Sequence, residues 1–132
     1  AMSDRSFRLT IVTPARTIER EVTHIRLKDE TAYFGIMKGH GDFLTMLVPS
    51  LCYYSDPAGR ETFLAVDGGI LSVRDGAVTL TSRQVYEGED PGQLASLIEG
   101  AIAKRNETER SLVAMLESIE HSFIEKAATV AR

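Results

Sequence analysis

The sequence predicts an α+β protein, in which an N-terminal antiparallel β-sandwich is followed by a C-terminal α-helical hairpin or a single long helix. Three observations predict it. Apolar residues up to about Tyr86 recur in short runs of two-fold period. Turn sequences rich in Gly, Asp and Pro separate those runs. After Asp90-Pro91-Gly92 the period lengthens to that of a helix and stays there.

The strands follow in order. Phe7, Leu9 and Ile11 alternate with Arg8 and Thr10, as in a half-buried strand that Pro14 ends. Val22-Thr23-His24-Ile25-Arg26-Leu27 is a second, β-branched run. Lys28-Asp29-Glu30 is a polar turn before a strand from Thr31 to Met37. A run from Leu44 to Val48 stops at Pro49-Ser50. Leu51 to Tyr54 and Arg60 to Val66 flank Asp56-Pro57-Ala58-Gly59, in which Asp caps, Pro presets φ and Gly takes a positive φ. Ile70 to Val73 and Val78 to Thr81 flank the hairpin signal Asp75-Gly76.

Asp90 before Pro91 fits an N-cap with proline at the first helical position. From Gln93 to Ala131 there is no proline, and Gly100 is the only glycine. Leu94, Leu97, Ile98, Ala101 and Ile102 form one helical stripe; Leu112, Met115, Leu116, Ile119, Phe123 and Ala127 form another. Residues 104–110 between them are wholly polar. They are either the corner of a hairpin near Asn106 or a solvated stretch of one helix. The hairpin is preferred, because it lets the two stripes bury each other. The chain divides into a sandwich domain at 3–88 and a helical arm at 91–132.

Composition narrows function more by exclusion than by assignment. The 132 residues suit one domain with an appendage, and a formal net charge of -4 argues against a nucleic-acid footprint. No apolar run is long enough to span a bilayer, and no signal peptide opens the sequence, which predicts a cytoplasmic protein held at a membrane only by partners. Ala1 ahead of Met2 reads as a cloning remnant and is left out of fold reasoning. Cys52, the single cysteine, rules out an internal disulfide and reads as a strand residue.

Catalytic and metal-binding patterns are thin. His40-Gly41-Asp42 is the sharpest candidate, yet His24, His40, His121 and Cys52 are too scattered to suggest three or four ligands. No Gly-x-Ser-x-Gly elbow is present. Gly68-Gly69 lacks the following Lys-Ser/Thr of a phosphate loop and reads as a bulge or corner. No catalytic residue, cofactor or metal is therefore expected. Glutamates on the arm argue against a membrane-lying helix. A sandwich with an amphipathic arm suits a subunit of an assembly. The alternatives are a free-standing binding module that dimerises through the arm, and a small hydrolase using His40 and Asp42.

The order of features resembles a known family over nearly the whole chain. Leu9-Thr10-Ile11-Val12-Thr13-Pro14 is followed by Val22-Thr23-His24-Ile25. Then come Tyr33-Phe34-Gly35-Ile36-Met37-Lys38-Gly39-His40, Phe43-Leu44-Thr45, Phe63-Leu64-Ala65-Val66-Asp67-Gly68-Gly69-Ile70-Leu71 and the arm. The Gly-Ile-x-x-Gly-His and Gly-Gly-Ile-Leu-x-Val elements together resemble the epsilon subunit of F-type ATP synthases. Ala65 to Leu71 and the Glu-rich arm are similar to the subgroup in an alternative, sodium-pumping ATPase.

The resemblance implies a non-catalytic rotor-stalk subunit of a proton- or sodium-translocating complex, coupling rotation of the membrane c-ring to the catalytic head. It implies a gamma subunit and the c-ring as partners. Tyr33, Lys38, Gly39, His40, Gly41 and Asp42 would approach the ring. The arm's second stripe, Leu112, Met115, Leu116, Ile119 and Phe123, is read from its helical spacing as a partner seam, and the resemblance implies that the arm contacts the head and opposes ATP hydrolysis. Some relatives bind ATP through Ile/Leu-Asp-x-x-Arg-Ala; Asp90-Pro91-Gly92-Gln93-Leu94-Ala95-Ser96-Leu97 lacks that Asp and Arg, so regulatory ATP binding is not expected. The family's arm linker tends to carry Gly or Ser, which residues 104–110 lack.

Overall fold

A computed structural model of the chain describes residues 5–130, those from 121 onward by their backbone alone. Eight strands precede one helix: β1 Phe7–Val12, β2 Thr17–Val22, β3 His24–Lys28, β4 Tyr33–Met37, β5 Phe43–Ser55, β6 Glu61–Arg74, β7 Ala77–Thr81, β8 Val85–Gly88 and α1 Pro91–Val130. They pair in the order β2-β1-β7-β6-β5-β3-β4, with β8 on β6. All pairings are antiparallel except β1 with β7.

Two long strands make this order a sandwich. The register of β5 and β6 is continuous from Phe43↔Val73 to Ser55↔Glu61, missing only the Val48–Gly68 pair. The first half of β5 and the second half of β6 lie beside β7, β1 and β2. Their other halves lie beside β3, β4 and β8. The bend falls at Gly68 and Gly69, with φ of 74° and 128°, a backbone region that side chains avoid. At Gly69 a Cβ would stand 2.0 Å from the Thr81 carbonyl oxygen, so only glycine lets β6 and β7 meet here. The expected strand ends at Pro49 and at the Gly-Gly pair are thus bends within continuous strands. Proline is tolerated beside the Val48–Gly68 position, where the ladder is interrupted.

The faces of the two layers share one core. Leu9, Ile11, Val22, Leu71, Val78 and Leu80 of the first layer pack with Ile25, Leu27, Ile36, Cys52, Leu64 and Val66 of the second. Each fully buried aliphatic side chain contributes about 1.5–3 kcal/mol. One open side is closed by a polar contact: Tyr54 donates to Glu87 Oε2 at 3.1 Å, and Arg20 Nε on β2 lies 3.5 Å from the same atom. Glu87 Oε1 is buried without a hydrogen-bond partner. Burial opposes the Arg20 charge most strongly of any single cause, but the Glu87 carboxylate and the Tyr54 hydroxyl together outweigh it and raise the Arg20 pKa.

Both expected turns form. Asp56 Oδ1 accepts from the Ala58 and Arg60 N–H groups at 2.9 Å. Asp75 and Gly76 take φ of 51° and 80°, as a two-residue hairpin turn requires. β2 and β8 were not expected, and Thr23, thought internal to a strand, separates β2 from β3.

The helix begins as the cap predicts: Asp90 Oδ1 accepts from Gly92 N at 3.0 Å and Gln93 N at 3.3 Å. Leu94 and Ile98 are buried with Ala65 against Leu51, Phe63 and Tyr86, on the outer face of the second layer. Compactness divides the chain at Glu99/Gly100, so these opening turns belong to the sandwich unit. The preferred hairpin does not form: α1 runs unbroken from Pro91 to Val130. Nothing in residues 104–110 breaks a helix. The Thr108 hydroxyl donates to the Lys104 carbonyl at 2.9 Å, and Arg105 pairs with Glu109 at 2.9 Å one turn on.

Candidate functional site

The glycine-bounded loop between β4 and β5 is exposed throughout residues 38–42. It turns on Gly39, at φ 88°, and His40 N–H donates to the Met37 carbonyl at 3.2 Å. His40 Nδ1 lies 2.8 Å from the Gly41 carbonyl, and its ring meets Phe43 edge-on at 5.5 Å. Asp42 Oδ1 accepts from the Asp75 N–H at 3.1 Å, which ties the loop to the β6–β7 turn. On its other flank, Lys38 and Met37 line a shallow depression with Asp56, Pro57 and Gly59. Lys38, Gly39, His40, Gly41 and Asp42 thus form one polar end between two tight turns. His40 and Asp42 each engage main chain rather than one another, which is the geometry of a braced loop, not of an acid–base pair.

Tyr33 stands at the other end of β4, opposite Lys28 in the register. Four residues of strand rise put it about 13 Å from Met37. β4 is the edge strand of its layer, so Tyr33 and the loop lie along one exposed edge rather than in one cluster. The Tyr33 ring has Arg26 Cζ at 5.3 Å and Lys28 Nζ at 5.2 Å from its centroid.

A second surface escaped the sequence reading. Leu44, Met46 and Ile70 are 72%, 69% and 48% exposed, side by side on the outer face of β5 and β6. Solvent exposure on this scale marks an interaction site when the side chains are contiguous. The signal was available: Phe43 to Val48 is apolar at both parities except Thr45, so one layer's interior could not take it all. The patch borders the β3–β4 turn. There Asp29 Oδ1 accepts from Thr31 N at 2.8 Å, Thr31 Oγ1 at 2.6 Å and Ala32 N at 3.1 Å, and Oδ2 accepts from Thr45 Oγ1 at 3.1 Å. These bonds, those from Thr31 first, lower the Asp29 pKa to about 2.

On the arm, Leu112, Met115, Leu116 and Ile119 lie one above another at helical spacing and are all exposed. Phe123, the fifth member of the expected seam, has its side chain outside the described residues. Cys52 is buried, and burial pushes its thiol pKa up. Among the described residues no group of three or more His, Cys, Asp or Glu could hold a metal ion. No described helix is long and apolar enough to cross a membrane. The candidate features are exposed surfaces: the braced loop, the Leu44–Met46–Ile70 patch and the apolar stripe of the arm.

Comparison with known proteins agrees with that form. The profile of the family described as ATP synthase, Delta/Epsilon chain, beta-sandwich domain matches residues 6–88. The chain is similar to the ATP synthase epsilon chain 2 of Paraburkholderia xenovorans (strain LB400), 35% identical over 109 residues that cover 80% of this chain and 78% of the relative. It is 35% identical over 92 residues to the ATP synthase epsilon chain 2 of Cereibacter sphaeroides, covering 67% of this chain and 63% of that one. Among solved structures, a chain of the Euglena gracilis mitochondrial ATP synthase (OSCP/F1/c-ring) shares the fold. Its TM-score is 0.61 at 22% identity, over 79% of this chain and 71% of that one.

Proposed function

The chain belongs to the ATP synthase delta/epsilon chain family, as an epsilon chain, and from that membership we propose that it is a non-catalytic part of the rotor stalk. In this reading it couples rotation of a membrane ring to the catalytic head of a proton- or sodium-translocating ATPase. It sits on the cytoplasmic side, held at the membrane by its partners. The observation that carries the reading is the family match through the whole sandwich, residues 6–88. The sandwich domain (3–88) is the docking body and the arm (91–132) the regulatory part.

Three surfaces receive three roles. The loop of Lys38, Gly39, His40, Gly41 and Asp42, with Tyr33 along the same edge strand, faces the polar loops of the ring. Its support is exposure combined with bracing: the Asp42–Asp75 bond holds the tip in place, so little order is lost on docking. Leu44, Met46 and Ile70 take the gamma subunit, because an apolar patch on a sheet face needs a lasting partner. The arm's seam of Leu112, Met115, Leu116, Ile119 and Phe123 contacts the head and opposes ATP hydrolysis.

The test is restoration. Membranes carrying the complex stripped of this subunit should regain ATP-driven ion pumping when the purified chain is added back, while the chain alone turns over no ATP. Pumping that stays absent, with the chain folded and bound, would overturn the coupling role.

A further inference from the structure

The outer face of β3 and β4 carries a cationic–aromatic cluster that neither the fold nor the braced loop uses. Arg26 and Lys28 point outward at alternate positions of β3, whose intervening Leu27 is fully buried. Tyr33 points outward from β4, 44% exposed, with both cations against its ring. Arg26 lies opposite Gly35, which offers no side chain, so the space beside Arg26 is open to the tyrosine and to His24. Among the described residues neither cation is within ion-pair distance of a carboxylate. The neighbouring Asp29 is committed to Thr31, Ala32 and Thr45. Two cations set against one ring form a donor pair whose orientation is already fixed, so an arriving carboxylate costs them little side-chain freedom.

We propose that Arg26, Tyr33 and Lys28 form the docking point for a carboxylate-bearing loop of the ring-side protein partner. The proposal rests on the reading of the β4 edge as the ring-facing edge and gives that contact its chemistry. An anionic lipid surface fits less well. The chain carries a net charge of -4, and Asp42, Asp56 and Asp75 sit in the loops beyond β4, where a planar anionic surface would meet them too. A protein loop meets the cluster at one point and avoids those carboxylates.

The test measures binding of the full chain to the stripped complex across a salt series, beside binding to the isolated gamma subunit. Arg26→Glu with Lys28→Glu should weaken binding to the stripped complex ~tenfold and flatten its salt dependence, with gamma binding and the unfolding midpoint unchanged. The neutral pair Arg26→Gln with Lys28→Gln should lose less, and Arg26→Lys with Lys28→Arg least. Unchanged affinity and salt slope in the charge-reversed variant would overturn the proposal and leave the stalk reading standing. So would wild-type binding to phosphatidylglycerol–phosphatidylcholine vesicles that the reversal abolishes while binding to the stripped complex persists, since the anion would then be lipid. Wild type that binds neither gamma nor the stripped complex would overturn the stalk reading and this proposal together.

Discussion

Replacing Gly69 with alanine should be the most damaging single methyl addition among the glycines of the sandwich. Its backbone sits at φ 128°, where a non-glycine residue costs about 1–3 kcal/mol. The new Cβ would lie 2.0 Å from the Thr81 carbonyl oxygen and 3.0 Å from Ser82 Cα, all main-chain atoms. Reaching ordinary contact requires the end of β7 to retreat by roughly 1 Å or more. That retreat pulls on the Ile70↔Thr81 pairing and on the Ser82 N–H bond to the Val12 carbonyl, each hydrogen bond worth about 0.5–1.5 kcal/mol. The sum is about 2–6 kcal/mol, set against the roughly 5–15 kcal/mol that a domain usually holds. Urea unfolding followed by circular dichroism should show the midpoint fall by about 2 M. Two controls separate strain from collision. Gly68→Ala, with φ 74° and the Leu47 carbonyl oxygen at 3.2 Å, should cost about 1–2 kcal/mol. Gly76→Ala, with φ 80° and open space around it, should cost about 1 kcal/mol. A Gly69→Ala midpoint indistinguishable from that of Gly76→Ala would refute the claim that β6 and β7 are held at glycine-only distance.

Two further outcomes follow from local contacts. Asp29 has its pKa lowered from 3.8 to about 2 in the folded chain, so its contribution to stability is present above about pH 4 and is lost as pH falls toward 2. Asp29→Asn should flatten the stability profile across that window, and an unchanged slope would show that Asp29's hydrogen bonds are not formed in solution. Asp90→Ala should cost about 1 kcal/mol in a thermal melt, because two helix N–H groups lose their acceptor, while Asp90→Asn should cost little. Equal losses in both variants would show that the cap is not what matters there.

Where the sequence pattern was strong, it carried through to the fold. Leu9, Ile11, Ile25 and Leu27 alternate cleanly and all reach the core. The turns at Asp56 and Asp75 bear the residues that their backbone angles demand. β2 was hard to see because it is an edge strand: in Thr17–Val22 only Val22 is fully buried, and Glu19, Arg20 and Glu21 are all exposed, so no alternation shows. β8 is four residues long and half-buried throughout, leaving no alternation to read. Pro49 and Gly68-Gly69 are local stop signals that longer-range pairing overrides, since β5 and β6 must bend to serve both layers. The polar stretch at 104–110 removes apolar periodicity without breaking the helix, so loss of a stripe was mistaken for loss of structure. Of the candidate site, the exposed loop of residues 38–42 was legible from its glycines. The Leu44–Met46–Ile70 patch was not, because apolar residues in a strand are read as core until the register assigns each a face.

The most direct measurement is co-purification with the ATP synthase gamma subunit of the same organism, followed by size-exclusion chromatography. The stalk reading predicts a stable equimolar complex, which Met46→Glu at the exposed apolar patch weakens without unfolding the sandwich. Separate elution of the two folded chains would contradict the reading and leave a free-standing binding module in its place.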